Sequence, residues 1–391
     1  MTASVQLPFR QDHPLRSSEE LQTLQSRGPI HKVLTAVGHE AWLVTGYAEV
    51  RRLMDDERLG RTHRDPANAP RSRTSALFGG PIGDFDTELA DHARMRQLLQ
   101  PHFSPKHMRE LAPKLEAQCS ALLDEMERQG PPADLLTSLA QPFPVSVICD
   151  LLGVPYSDRD RFRVWVEQAA FSPDDSVSED GLMSLVGYGM ELVTAKRTDP
   201  ADDVISRLCD EPDLSDLEIA TLGMQLLFAG HETTVMQIWL QSLLLLTHPD
   251  QWRALLESPQ LIPNAVEELL RVGMPGGIGV PRYARDDIDV GQVTIRAGDL
   301  VLLDPGSANH DPAAFPDPYR ADLSRTGAAH VSFGYGMRYC LGAALARLEL
   351  KIVFSQLIPR FPTMQLLGEV SSMGEGFHSL SHGLSPLPVI W

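Results

Sequence analysis

The stretch TLGMQLLFAGHETTVMQIWLQSLLLL, residues 221–246, is apolar nearly all round, and a helix of that composition has to be buried on every side. A chain of 391 residues that is 43% hydrophobic can supply the elements to surround it. Ser215 with Glu218 three residues on makes a capping-box start, so a helix is predicted over 216–248. One polar interruption, AGHETT at 229–234, breaks the apolar run. Polar groups there are costly unless they serve a function. A solvent-facing stripe would account for His231. It would not account for both Glu232 and Thr233, which are adjacent and point in different directions.

Further helices are predicted at about 89–99, 105–128, 136–152, 158–170, 181–196, 202–209 and 341–357, with a short one in AEVRRLMDD. Strand-like runs occur at HKVLT (31–35), AWLV (41–44) and through 276–304, where IDVGQVTIRAG reads as a hairpin. A long loop rich in Pro, Gly, Ser and Arg covers 60–84, and a Pro/Asp meander covers 309–325. No linker, repeat or low-complexity segment divides the chain. The expectation is a single domain, 1–391, mainly α with minor antiparallel β sheet. Its small β-rich portion would lie at about 25–60, 276–304 and 360–391, with a helical lobe formed by the rest.

A formal charge of −18 argues against nucleic acid or an anionic membrane as the main partner. No run approaches the roughly 20 apolar residues of a membrane span, and no basic start leads into an apolar segment. Cys119, Cys149, Cys209 and Cys340 have the spacing of neither a zinc cluster nor a disulfide framework, so reduced thiols and a cytoplasmic location are expected.

Cys340 stands in FGYGMRYCLG, residues 333–342, just before the helical pattern LGAALARLELKIVF. An isolated cysteine is usually an inert core residue. Here the helix N-terminus favours thiolate, and Gly334, Gly336 and Gly342 strip the loop of side chains that would hold off a flat ligand. With no histidine within seven residues to act as a base, a thiolate on this loop suits a metal better than nucleophilic attack.

The pattern F-G-x-G-x-R-x-C-x-G resembles the haem-binding loop of the cytochrome P450 family, and other motifs follow in the same order over nearly the whole chain. The resemblance implies that family's fold, with the long central helix over a b-type haem whose iron is bound by Cys340, and with Phe333, Gly334, Gly336 and Gly342 lining the loop. It implies that Ala229 and Gly230 leave room for dioxygen, that Glu232 relays protons, and that Thr233 holds the accepting oxygen and its water. His92 and Arg96, four apart in DHARMR, with Arg282 and Arg338, match contacts to the two haem carboxylates. Glu268 and Arg271 of EELLR match a structural E-x-x-R pair, completed by an arginine of the meander for which Arg320 stands in the matching place. Substrate would meet the loop 61–88 (Leu77, Phe78), the stretch 165–190 (Phe171), MPGGIGV (Ile278, Val280) and GFHS (Phe377).

The implied activity is that of a monomeric monooxygenase, without nucleic-acid or membrane partners, hydroxylating or epoxidising a bulky hydrophobic natural product. Similarity is greatest to actinobacterial members that tailor macrolides and polyketides. No flavin or NAD motif is present, so electrons are expected from a ferredoxin and its reductase, docking on a basic patch drawn from residues such as Arg94, Lys106, Arg347 and Lys351. Two alternatives are a peroxide-driven peroxygenase, whose members lack the acid–alcohol pair, and a haem sensor or ligand-binding protein, for which no output domain is left over.

Overall fold

The computed structural model describes residues 5–277, 279–327, 329–370 and 383–391. Two compact units divide them. One comprises the described residues up to Arg96, Ser258–Leu341 and the short piece beginning at Glu369; the other comprises Gln97–Glu257, Gly342–Gly368 and the C-terminal piece ending at Trp391.

The first unit is built on a six-stranded sheet in the order Val5–Gln6, Ile30–Leu34, Glu40–Val44, Leu300–Leu303, Val280–Ala284, Leu59–Gly60. The chain is mainly α with small sheets, as expected, but this sheet is mixed. Val5–Gln6 runs parallel to Ile30–Leu34, and Glu40–Val44 parallel to Leu300–Leu303, while the remaining pairings are antiparallel. A strand that arrives from more than 250 residues away is not joined by a hairpin, so local pattern cannot set its direction.

Period-two alternation buries both faces. Val44, Val301 and Leu303 join Val50, Leu53 and Leu59 on one side. Ala41, Leu43, Leu300 and Leu302 join Leu21, Leu24 and Phe9 on the other. Leu21 and Leu24 belong to a further helix, Glu19–Ser26, which Ser18 starts by accepting from Leu21 N through its Oγ. The hairpin lies at Ile288–Val290 and Val293–Ile295.

His310 is buried here (2% exposed), its ring stacked on Tyr319 at 4.8 Å and its Nδ1 set 2.8 Å from Gly306 O. Desolvation, with the charge of Arg271, pushes its pKa down to about 4 from the ordinary 6.5. The unfolded chain therefore binds the extra proton first. This contribution to stability is complete above pH 6.5 and is lost as pH falls toward 4. By pH 5 the loss is about 2 kcal/mol. Denaturant midpoints at pH 7 and pH 5 should show this slope in the wild type and a shallower one in His310→Asn.

The second unit is helical. Asp216–Thr247 carries the full capping box of Ser215 and Glu218, and it packs against Asp175–Thr198, Pro142–Leu152 and Ala343–Arg360. Trp239 is fully buried on it, and its indole N–H donates to Ser385 O at 2.9 Å. A small antiparallel sheet joins Gln365–Leu366, Pro388–Ile390 and Ala133–Asp134.

Boundaries shift in instructive ways. The helix expected from 181 begins at Asp175, because Asp174 accepts from Ser176 N and Val177 N. Gly181 lies inside it because a Cβ there would stand 2.6 Å from Gln168 Cβ, so the glycine lets this helix approach Arg159–Phe171 closely. The helix expected over 136–152 is a π-turn at Leu136–Ala140 followed by Pro142–Leu152, and the one expected from 341 starts at Ala343 with Gly342 as its cap. Among the described residues no helix is long and apolar enough to cross a membrane.

Candidate active site

In the first unit the cysteine loop is shaped by its own backbone. Cys340 N donates to Phe333 O at 2.8 Å, Gly334 N to Val331 O at 2.9 Å and Tyr339 N to Gly336 O at 3.0 Å. Gly334 and Gly336 adopt φ of 74° and 68°, which a side chain would strain, and a Cβ on Gly336 would also collide with the Asp55 carboxylate. Cys340 is exposed, two residues before the Gly342 cap, and half-buried Phe333 stands edge-on to Tyr339 with ring centroids 6.3 Å apart.

Around this loop one unit gathers cations. Arg96 Nη1 donates to Tyr339 O at 2.7 Å, and Arg338 Nη2 pairs with Glu88 Oε1 at 2.6 Å. Arg282 is pushed down to about 9 by desolvation and by the charges of Arg61 and Arg338. His92 is lowered by desolvation and then by Arg338 and Arg96. His92, Arg96, Arg282 and Arg338 are thus brought together from three segments.

Two members were not anticipated. Arg61 had no local signal, being an arginine in a loop rich in them. Glu88 could have been noticed, since it lies one turn before His92 on the same helix, Glu88–Leu99. Glu88 accepts from Arg61 N (2.7 Å), Arg285 Nη1 (3.1 Å), Thr62 Oγ1 and Arg338. Burial opposes its ionisation, but these bonds and the Arg338 charge outweigh that and hold its carboxyl below the ordinary value. Among the described residues Glu88 is the one carboxylate acting on Arg282 and Arg338 Nε is buried and unpartnered, so the cluster is short of anions. Two carboxylates of a haem fit that deficit.

A second network lies deeper in the same unit. Arg271 (2% exposed) grips Glu268 (4%) through two bonds of 2.8 Å, donates to Asn309 O and Pro318 O at 2.7 Å, and sits 5.0 Å from the Phe315 ring centroid. The arginine that completes the network is Arg325, whose Nε reaches Glu268 Oε1 at 2.9 Å. Arg320 is exposed and offers only its carbonyl, to Arg271 at 3.2 Å and Arg325 at 3.3 Å. The expectation for Arg320 is corrected accordingly: the meander turns its backbone, not its side chain, toward the pair.

In the second unit the central helix shows an exposed stripe amid buried surroundings: Gln225, Ala229 and Thr233, each one turn apart. Thr233 Oγ1 donates to Ala229 O at 3.0 Å, the bond its spacing suggested, and Thr234 repeats it to Gly230 O at 3.3 Å. Glu232 turns inward (5% exposed), with Oε1 3.1 Å from Nε2 of buried His231. Neighbouring residues on a helix diverge, so this contact lacks the alignment of a hydrogen bond. Gly230 also allows a close helix approach: a Cβ there would stand 2.5 Å from Ile148 Cδ1 on Pro142–Leu152.

Of the substrate-side residues, Leu77, Phe78 and Val280 are half-buried in the first unit and Phe171 is half-buried in the second; Ile278 and Phe377 lie outside the described residues. Lys106 is exposed on Pro105–Gln129, Arg347 and Lys351 are one turn apart on Ala343–Arg360, and Arg94 is exposed in the first unit.

Comparisons with known proteins agree on one family. The cytochrome P450 family model matches residues 189–372. The chain is 42% identical over 395 residues to pentalenolactone synthase of Streptomyces exfoliatus, and 38% identical over 394 residues to the mycinamicin IV hydroxylase/epoxidase of Micromonospora griseorubida, covering 98% of each chain in both cases. Among solved structures, substrate-free PimD, a polyene macrolide antibiotic pimaricin epoxidase, superposes with a TM-score of 0.90 at 39% identity over all of both chains. The chain that holds this glycine-framed thiol and cation cluster matches these proteins from end to end, and it belongs to the cytochrome P450 family of haem monooxygenases.

Proposed function

We propose that this enzyme inserts one oxygen atom from dioxygen into a bulky hydrophobic natural product of the macrolide or polyketide class, by hydroxylation or epoxidation. The observation that carries the reading is the exposed Ala229–Thr233 stretch of an otherwise buried helix, with Glu232 buried beside it. The substrate class is supported by what two relatives are named for, a mycinamicin hydroxylase/epoxidase and a polyene macrolide epoxidase. End-to-end matches also support reading 1–391 as one catalytic domain.

Cys340 would hold the iron, and Arg61, His92, Arg96, Arg282 and Arg338 the haem carboxylates, with Phe333, Gly334, Gly336 and Gly342 framing the loop. When bound, the haem supplies the metal at which dioxygen is activated with two electrons. Thr233, its hydroxyl proton committed to Ala229 O, presents oxygen lone pairs on the exposed stripe and can hold a water there by accepting from it. Glu232, buried against His231, sets a carboxyl one residue away that a side-chain turn would bring to the stripe to pass a proton. Glu268, Arg271 and Arg325 hold the meander and touch no reacting group. Electrons would come from a ferredoxin and its reductase, met by cations such as Arg94, Lys106, Arg347 and Lys351, in a protein acting as a monomer.

Glu232→Gln should lower turnover by about 10²-fold. Thr233→Ala should keep electron consumption while product per electron falls severalfold. Product and electron consumption measured together check both. Unchanged product per electron in the two variants would remove their proton-handling roles.

A further inference from the structure

Arg73 is unlike the other enclosed arginines. Arg271, Arg285 and Arg338 each hold a carboxylate. Arg73 is part-buried, and among the described residues its guanidinium has neither hydrogen bond nor ion pair. Desolvation lowers its pKa, and among the described residues no neighbouring charge acts on it. That last point separates it from the cluster beside the cysteine loop, whose arginines act on one another. Enclosing an unpaired cation is costly, so a fold retains one where a ligand completes the pair.

The segment carrying it is built to stay in place. Tyr283 OH donates to Pro70 O at 2.7 Å, Thr35 Oγ1 to Arg71 O at 2.8 Å, and Arg71 N to His39 Nδ1 at 2.7 Å. Beyond Arg73 the turn closes on itself. Ser72 N donates to Gly79 O at 2.8 Å, Gly79 N to Ser75 O at 2.9 Å, and Leu77 N and Phe78 N to Ser75 Oγ at 3.2 and 3.1 Å. Any side chain on Gly79 would strike the Arg73 carbonyl. The same turn presents half-buried Leu77 and Phe78. One hydrogen-bonded loop therefore offers apolar side chains and the planar cation of Arg73, while its other arginine, Arg71, turns its Nη2 toward Ser75 O.

We propose that Arg73 binds a carboxylate on the substrate, so that the natural product oxidised is an amphiphilic acid. One guanidinium with no second cation beside it matches a singly charged planar carboxylate better than a phosphate. This rests on the reading of a bulky hydrophobic substrate given above, and it adds the charge that substrate carries.

Dehydroabietic acid and ursolic acid, each compared with its methyl ester, test it through the iron spin-state change on binding to the holoenzyme. At least one acid should bind tenfold or more tightly than its ester. Arg73→Gln should abolish that preference while leaving ester affinity unchanged, and Arg73→Lys should keep part of it. Thermal unfolding no earlier than wild type confirms that the variants are folded. Acids and esters binding equally, or a preference that survives Arg73→Gln, would overturn the role of Arg73 and leave the bulky hydrophobic pocket standing. If none of the compounds binds, both readings fall.

Discussion

Cys340→Ser is expected to leave a folded protein that no longer gives the thiolate-type Soret band when reduced and treated with CO, and whose monooxygenase turnover falls below detection. The two effects separate for a structural reason. The Cys340 side chain is exposed, and the amide that closes the loop onto Phe333 is kept by serine, so the substitution should change stability by no more than about 0.5 kcal/mol. A serine hydroxyl does not ionise in this pH range, whereas a thiol near 8.5 is readily drawn to thiolate by a metal. Haem can still be retained through the cation cluster with its altered spectrum. A Cys340→Ser protein with an unaltered CO spectrum and turnover would contradict the assignment of Cys340.

Arg271→Ala is expected to cost about 3–5 kcal/mol, because it leaves Glu268 Oε2 in the core without its donor and only Oε1 still held, by Arg325 and Asp322 N. Against a total stability of about 5–15 kcal/mol, that reduces the yield of folded holoprotein sharply. Asn309 O and Pro318 O lose their donor as well. Arg271→Lys should not rescue it, since an ammonium cannot reproduce two parallel bonds to Glu268 and also reach those carbonyls. The companion pair locates the third member. Arg325→Ala should cost about 1.5–3 kcal/mol by removing a charge-assisted bond, while Arg320→Ala should stay within about 0.5 kcal/mol because its side chain takes no part. Urea midpoints of the three variants check the ranking, and a larger loss for Arg320→Ala than for Arg325→Ala would reverse it.

That reversal shows where sequence stops being informative. Both arginines lie in one irregular meander five residues apart, and no period tells which side chain turns inward. Gly230 teaches the same about a helix: its place in AGHETT is visible, but the atom it makes room for, Ile148 Cδ1, belongs to another helix. Arg61 and Glu88 join the cation cluster through bonds spanning 27 to 250 residues, which no spacing rule encodes.

What the sequence determined by itself was everything written in short range: the buried helix with its capping box, the cysteine among glycines ahead of a helix, the adjacent acid and alcohol, and the His92–Arg96 pair one turn apart. Helical periodicity and backbone sterics act over a few residues, so those features survive in a linear string. Tertiary structure alone decided the mixed direction of the sheet, the choice of Arg325, the gathering of Arg61, Glu88, Arg282 and Arg338 from remote segments, and the solitude of Arg73. Each of these depends on which distant group a charge meets once water has been excluded, and only the folded chain specifies that.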